Sequence, residues 1–190
     1  VIHQEDALNI SQENLVSSHK NIESWWLVSN LPYNVGTPIM VKYLQISPIK
    51  FFTLMFQKEV AQKVCIDIFG NKQKEKEMNS LHALVATFFQ INLLKHVAPG
   101  EFSPPPKVKS SVISLERKQK PDLPLSSWDS YEKFLRKLFS QRRKQLGKVL
   151  KQYFPLEKIE PTFNELNIPL TIRSERLNLE QVQNLFTHLG

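Results

Sequence analysis

A chain of 190 residues with 41% hydrophobic content suits one domain, or one domain with a small appendage, and is apolar enough to bury a core. No stretch approaches the ~18 consecutive apolar residues of a membrane span and no signal peptide is visible, so an integral membrane or secreted protein is not expected. A single cysteine, five scattered histidines and a net charge of +7 point instead to a reduced, cytoplasmic compartment, no metal site and a polyanionic partner.

In chain order, Val1-Ile2 followed by Gln4-Glu5-Asp6-Ala7-Leu8 reads as a strand end delivering an acid to a loop. In a nucleotide-binding α/β domain such an Asp accepts a hydrogen bond from an adenine amine or a ribose; taken alone, Asp6 reads more simply as a solvated turn acid. Residues 9–24 are polar, with room for one short helix around Gln12–Ser17.

Trp25-Trp26-Leu27-Val28 is an apolar run suited to a strand, and Pro32 stops it by removing a ladder donor. Ser29-Asn30-Leu31-Pro32-Tyr33-Asn34 is therefore a stiff turn at a strand's carboxyl end, where open α/β sheets bind ligands. The chemistry it suits is methyl transfer to a planar amine. The Asn30 carbonyl and the Leu31 carbonyl both accept from one exocyclic NH2, which aims its lone pair outward, while Tyr33 stacks on the ring. The amine attacks before losing its proton, so no general base is needed to start. In isolation the same tetrapeptide is also an ordinary strand-ending turn.

Thr37-Pro38 reads as a helix start and Pro38–Leu44 as a short amphipathic helix. Residues 51–56 look like a strand buried on both faces. Residues 57–69 suggest one helix, with Val60, Val64, Cys65 and Ile68 on its apolar face and Gly70 as its cap. Residues 71–79 read as a charged surface loop, 81–89 as an apolar helix, and 91–97 as a strand. Phe102-Ser103-Pro104-Pro105-Pro106-Lys107-Val108 is a rigid connector into a last strand at 108–115. The two late strands are expected to form an antiparallel hairpin at one sheet edge. The polar, proline-bearing stretch 116–126 marks a domain boundary, beyond which the sequence is helical.

From Lys133 to Lys151 there are eight Lys or Arg and no acid, on a stripe read as one amphipathic helix interrupted near Gly147. A one-signed polar face of this kind is the footprint of phosphate-backbone binding, since solvated helices usually mix signs.

Three separated stretches then agree: Asn30-Leu31-Pro32-Tyr33-Asn34, Phe102 through Val112, and Gln141-Arg142-Arg143-Lys144. Together with Gln57-Lys58-Glu59-Val60 they resemble successive motifs of the ribosomal RNA adenine dimethyltransferase family, over essentially the whole chain. The last motif is similar to the small-subunit branch; the large-subunit, macrolide-resistance branch more often has Ile in place of Leu31. The resemblance implies an α/β fold: a partial Rossmann-like S-adenosylmethionine-dependent methyltransferase domain in residues 1–118, followed by a small all-α RNA-binding domain in 119–190. It implies catalytic roles for Asn30, Leu31, Pro32 and Tyr33, with Phe102 on the other side of the target adenine. Asp6, Ala7 and Asn30 would border the cofactor S-adenosyl-L-methionine, and Lys107, Arg136, Arg142, Arg143, Lys144 and Lys148 would hold RNA. The implied partner is small-subunit rRNA in an immature 30S-type subunit, dimethylated on two adjacent adenines near its 3′ end during ribosome biogenesis.

Two departures from that family pattern stand out. Its glycine-rich cofactor loop and ribose-binding acid are not found here, and the chain opens at what would be the third strand. Roughly two strand–helix units of about 30 residues each are therefore expected to be missing. As a fragment, the chain is expected to be inactive alone, with residues 1–24 packed abnormally, swapped between chains or loosely held. The second departure is Met78-Asn79, where the family usually has Tyr-Gly. The competing readings are a non-catalytic RNA- or ribosome-binding module and a large-subunit rRNA methyltransferase.

Overall fold

The computed structural model describes residues 4–17, 23–69 and 77–190. The strand end expected at Val1-Ile2, the Gly70 cap and the charged stretch 71–76 lie outside the described residues. The chain sorts into two compact units: Val1–Gln62 with Gln90–Arg117, and Lys63–Phe89 with Lys118–Gly190. A single cut after residue 118 differs from this division, because Lys63–Phe89 group with the later helices.

The first unit is built on a four-stranded sheet of order β1-β2-β4-β3, where β1 is Trp25–Asn30, β2 Ile49–Gln57, β3 Phe89–Val97 and β4 Ser110–Arg117. β1 runs parallel to β2, and β2 antiparallel to β4. The late strands β3 and β4 are neighbours, with β3 at the edge as expected. The expectation of a β2 buried on both faces is corrected. Phe52, Leu54 and Phe56 are buried, but the alternate face carries Phe51 at 44% exposure, with Trp26 directly opposite in the register. Trp26 and Val28 are 66% and 64% exposed, so this side of the sheet is uncovered. A strand's two-residue period makes the difference: one face meets the core and the other meets solvent.

Helix α2 (Gly36–Leu44) packs on the buried face. A Cβ at Gly36 would stand 3.1 Å from Leu31 Cβ and 3.3 Å from the Phe56 ring, so the close approach of helix to strand depends on glycine here. The helix starts one residue before Thr37, with Val35 as its N-cap and Pro38 as its third residue. Pro38 costs nothing there, since the first N–H groups of a helix have no intrahelical acceptor. Arg117, at the end of β4, donates to the carbonyls of Leu44, Ile46 and Ile49 at 2.7, 3.0 and 3.1 Å. Burial pushes its guanidinium down to about 10, which leaves it ionised at neutral pH.

Before the sheet, α1 (Gln12–Ser17) falls where the polar pattern suggested. The helix expected over 57–69 is instead α3 (Lys58–Val64) and α4 (Ile66–Phe69), separated at Cys65. The second unit gathers α5 (Ser80–Phe88), α6 (Trp128–Leu138), α7 (Leu146–Leu150), α8 (Leu156–Glu165) and α9 (Leu179–Leu189). Its core is aromatic: Phe88 meets Trp128 at 4.9 Å between centroids, and Tyr131 and Phe134 meet Phe186 at 5.0 and 5.5 Å. Asn79 is not a loop residue but the N-cap of α5, accepting from His82 N at 3.0 Å.

One expectation of this unit is overturned. The basic stretch 133–151 is two helices, not one. α6 ends at Leu138, a turn follows with Lys144 N on Gln141 O at 2.9 Å, and α7 begins at Leu146. Gln141-Arg142-Arg143-Lys144 is thus a turn between helices. Nor is Gly147 the break. It lies inside α7, where its N–H donates to Leu170 O at 3.0 Å and an added Cβ would stand 3.0 Å from that same oxygen.

Candidate active site and basic residues

β1 delivers Asn30 to the carboxyl end of the sheet, beside Met55 of β2. Leu31 leaves the strand with its N–H still on Met55 O at 3.4 Å, and the turn closes with Val35 N on Pro32 O at 3.3 Å. Leu31 is buried and anchors the turn, while Asn30, Pro32 and Tyr33 are exposed. The Asn30 carboxamide and the Leu31 carbonyl have no hydrogen-bond partner among the described residues, which leaves two acceptors open at the strand end. Tyr33 is 39% exposed, and its hydroxyl lies 2.9 Å from Ser110 Oγ. Ser110 is buried at the start of β4, opposite Gln57 in the register, so the end of the proline-rich connector is tied to the Asn30 turn.

Phe102 caps the short 3-10 turn Pro99–Glu101 and is half-buried, and the Ser103–Pro104 peptide that follows is cis. Among the described residues no ring contact or hydrogen bond joins Phe102 to Asn30 or Tyr33. Of the catalytic residues expected from sequence, Asn30, Leu31, Pro32 and Tyr33 stand on one turn, and Phe102 stands on the connector whose end, Ser110, meets Tyr33.

Behind the turn lies a cavity of about 500 Å³ lined by Glu5, Asp6, Ala7, Leu27, Val28, Ser29, Leu31, Pro32, Val35, Ile39 and Tyr43. Asp6 and Ala7, singled out from sequence, thus share one space with the Asn30 turn. Asp6 folds its loop around itself: Oδ1 accepts from Leu8 N at 2.9 Å and its carbonyl from Asn9 N at 2.8 Å. Among the described residues its Oδ2 is held only by Asn9 Nδ2, at 3.5 Å, and is the oxygen best placed to accept a further donor. Tyr43 forms a wall of the cavity, and burial, then the charges of Asp6 and Glu5, raise its phenol above the usual value.

Sequence reasoning missed Ser110, Tyr43 and Lys42. Tyr43 sits on the buried stripe of α2 with Ile39 and Met40, where an apolar role was the simpler reading. Lys42, beside that stripe, was the available signal, since a lysine next to a buried face needs acceptors.

The sequence model of the family described as ribosomal RNA adenine dimethylase matches residues 1–189. The chain belongs to that family. It is similar to the ribosomal RNA small subunit methyltransferase A of Malacoplasma penetrans, at 37% identity over 81% of this chain and 54% of the relative. The proteins of that name from Caldanaerobacter subterraneus and Pseudomonas aeruginosa are both 32% identical, over 97% and 100% of this chain and 68% and 66% of theirs. The chain thus spans between about half and two thirds of these relatives' length. The fold is similar to two solved structures: a dimethyladenosine transferase from Plasmodium falciparum (TM-score 0.69, 24% identity, 87% of this chain and 68% of that one) and the 23S rRNA methyltransferase ErmE (0.65, 21%, 93% and 75%). The sheet and its helices are accordingly part of a Rossmann-like methyltransferase fold.

The residues expected to hold RNA fall into two groups. Lys107, Arg143, Lys144 and Lys148 are exposed and make no ion pair among the described residues. Arg136 is bound to Glu132 at 2.6 Å, and Arg142 lies 3.3 Å from Glu77 and 3.8 Å from Glu175. The acids missing from residues 133–151 are supplied by other segments. No helix among the described residues is long and apolar enough to cross a membrane, and no described cluster of His, Cys, Asp and Glu is placed to hold a metal ion.

Proposed function

We propose that this protein is an rRNA adenine N6,N6-dimethyltransferase acting on small-subunit rRNA in an immature subunit in the cytoplasm, with S-adenosyl-L-methionine as methyl donor. The observation that supports the reading is the open pair of acceptors, Asn30 Oδ1 and Leu31 O, on a turn whose Leu31 and Pro32 line a cavity together with Asp6.

The cavity fits the adenosine end of the donor. Leu31, Val35, Ile39 and Tyr43 give apolar walls for a planar base, and Asp6 Oδ2 is free to accept from an exocyclic amine or a ribose hydroxyl. When bound, the donor supplies an electrophilic methyl group. The chain's own residues do the rest. Asn30 Oδ1 and Leu31 O accept the two N–H bonds of the target adenine amine, which turns its lone pair out of the ring plane. The Tyr33 ring, steadied through its hydroxyl by Ser110, stacks on the base. Exposed Arg143, Lys144 and Lys148 hold the RNA backbone.

Titration of the protein with S-adenosylmethionine tests the cavity, and Asn30→Ala, made in a full-length version, tests the site. Asn30→Ala is expected to abolish dimethylation, by about a thousandfold or more, while leaving RNA affinity within twofold, because its loss removes an orienting acceptor and no phosphate contact. Unchanged turnover in Asn30→Ala would remove the catalytic assignment. No uptake of the donor, with RNA binding intact, would favour a non-catalytic RNA-binding module.

A further inference from the structure

The turn that carries Asp6 has an unusual economy of hydrogen bonds. Its donors fold inward: Leu8 N on Asp6 Oδ1 at 2.9 Å, Asn9 N and Ile10 N on Asp6 O at 2.8 and 3.2 Å. Its acceptors face α2 instead. Lys42 Nζ donates to Leu8 O and Ile10 O, both at 2.6 Å, and lies 3.4 Å from Ala7 O. Tyr43 Oη donates to Ala7 O at 3.2 Å. One ammonium thus meets three successive or near-successive carbonyls, a geometry that a flexible loop would not hold against its own entropy without a charged donor. Lys42 also stands in the last turn of α2, where the helix dipole favours a cation.

We propose that Lys42, with Tyr43 beside it, is a positioning residue for the adenosine end of the cavity: it straps residues 7–10 to α2 so that the Asp6 carboxylate faces the bound nucleoside. α2 begins directly after the Asn30–Tyr33 turn. The strap therefore ties the nucleoside-binding loop and the target-amine acceptors to a single helix, and fixes the spacing between them. The nucleoside part of the proposal rests on the cofactor reading of the cavity; the strap itself does not.

The test uses the 190-residue chain with Lys42→Met, which keeps the stem and removes the ammonium, Lys42→Arg, which restores charged donors, and Tyr43→Phe, which removes only the hydroxyl. Amide hydrogen exchange is followed at Leu8, Asn9 and Ile10, with Phe52 and Leu54 in β2 as internal reference, and adenosine binding is titrated by calorimetry. In Lys42→Met the loop amides are expected to exchange roughly ten- to a hundredfold faster with β2 unchanged, from the loss of charge-assisted bonds. Adenosine affinity falls about tenfold, Lys42→Arg recovers both, and Tyr43→Phe shows a smaller effect of the same sign. Unchanged loop exchange in Lys42→Met overturns the strap. Faster exchange throughout β2 as well overturns it in favour of a general packing role. Faster loop exchange with adenosine affinity intact overturns its role toward the ligand. If the wild-type chain takes up no adenosine, the cofactor reading of the cavity falls, and the exchange measurement alone decides the strap.

Discussion

At the residue scale, what decides a side chain's chemistry here is what its neighbours leave open. Asn30 and Tyr33 have the same motif in common but different support: the Asn30 carboxamide has no hydrogen-bond partner among the described residues, while Tyr33 is braced by Ser110. Cys65 is the opposite case. It is buried, and burial alone pushes its thiol up to about 12. A group raised in the folded state keeps its proton while the unfolded chain loses it from about pH 9 upward. Its stabilising contribution is therefore complete below that pH and is lost as pH rises towards 12. Burial keeps the native thiol protonated at pH 8, so native Cys65 is expected to resist iodoacetamide for hours while the denatured chain reacts within minutes. Rapid alkylation of the native chain, followed by mass, would show that the pocket around Cys65 opens. The sequence already placed this cysteine among core residues, from Val60, Val64 and Ile68 at helical spacing; it could not show that the helix breaks at Cys65 itself.

At the element scale, the strands and the short helices were legible because their patterns are local. Trp25–Asn30, Gly36–Leu44 and Leu179–Leu189 each follow from a run or a stripe of apolar residues with a nearby punctuating residue. Two elements were hidden for physical reasons. α8 is preceded by Pro155 and contains Pro161, so its breakers outweigh its stripe; Pro161 lies on the exposed face of the helix. The turn at 139–145 was hidden because its polarity matches a solvated helix face, and only the pairing of Leu146 N with Ile172 O and of Gly147 N with Leu170 O places α7's start. Sequence spacing carries no information about such distant acceptors. Gly147→Ala accordingly forces a Cβ against Leu170, 3.0 Å from its carbonyl and 3.1 Å from its side chain. A loss of about 1–3 kcal/mol is expected in chemical denaturation. Gly100→Ala is the control, since nothing lies within 4 Å of its added carbon and stability should stay within about 0.5 kcal/mol. Equal effects from the two would mean that α7 shifts away from Leu170 at no cost.

At the scale of the whole molecule, the net charge of +7 announced a polyanionic partner, but the sequence overstated how much of the positive charge is available. Counting charges along residues 133–151 finds no acid, whereas folding brings Glu77 and Glu175 to Arg142, and Glu132 sits one turn before Arg136. An arginine already paired gains less from a phosphate, because it must first give up a carboxylate of similar charge. Arg143, Lys144 and Lys148 carry no such partner among the described residues, and each should release close to one phosphate's worth of counterion on binding. The prediction is a hierarchy. In titrations of an rRNA hairpin across salt, Arg143→Ala and Lys144→Ala should each flatten the slope of log K against log salt by about 0.7–0.9. Arg136→Ala and Arg142→Ala should flatten it by less than half of that, and Glu77→Gln should steepen it by removing the nearer of Arg142's two carboxylates. Equal flattening by all four substitutions would mean that RNA displaces the carboxylates outright, and that the ion pairs of the free protein do not govern which cations meet the backbone.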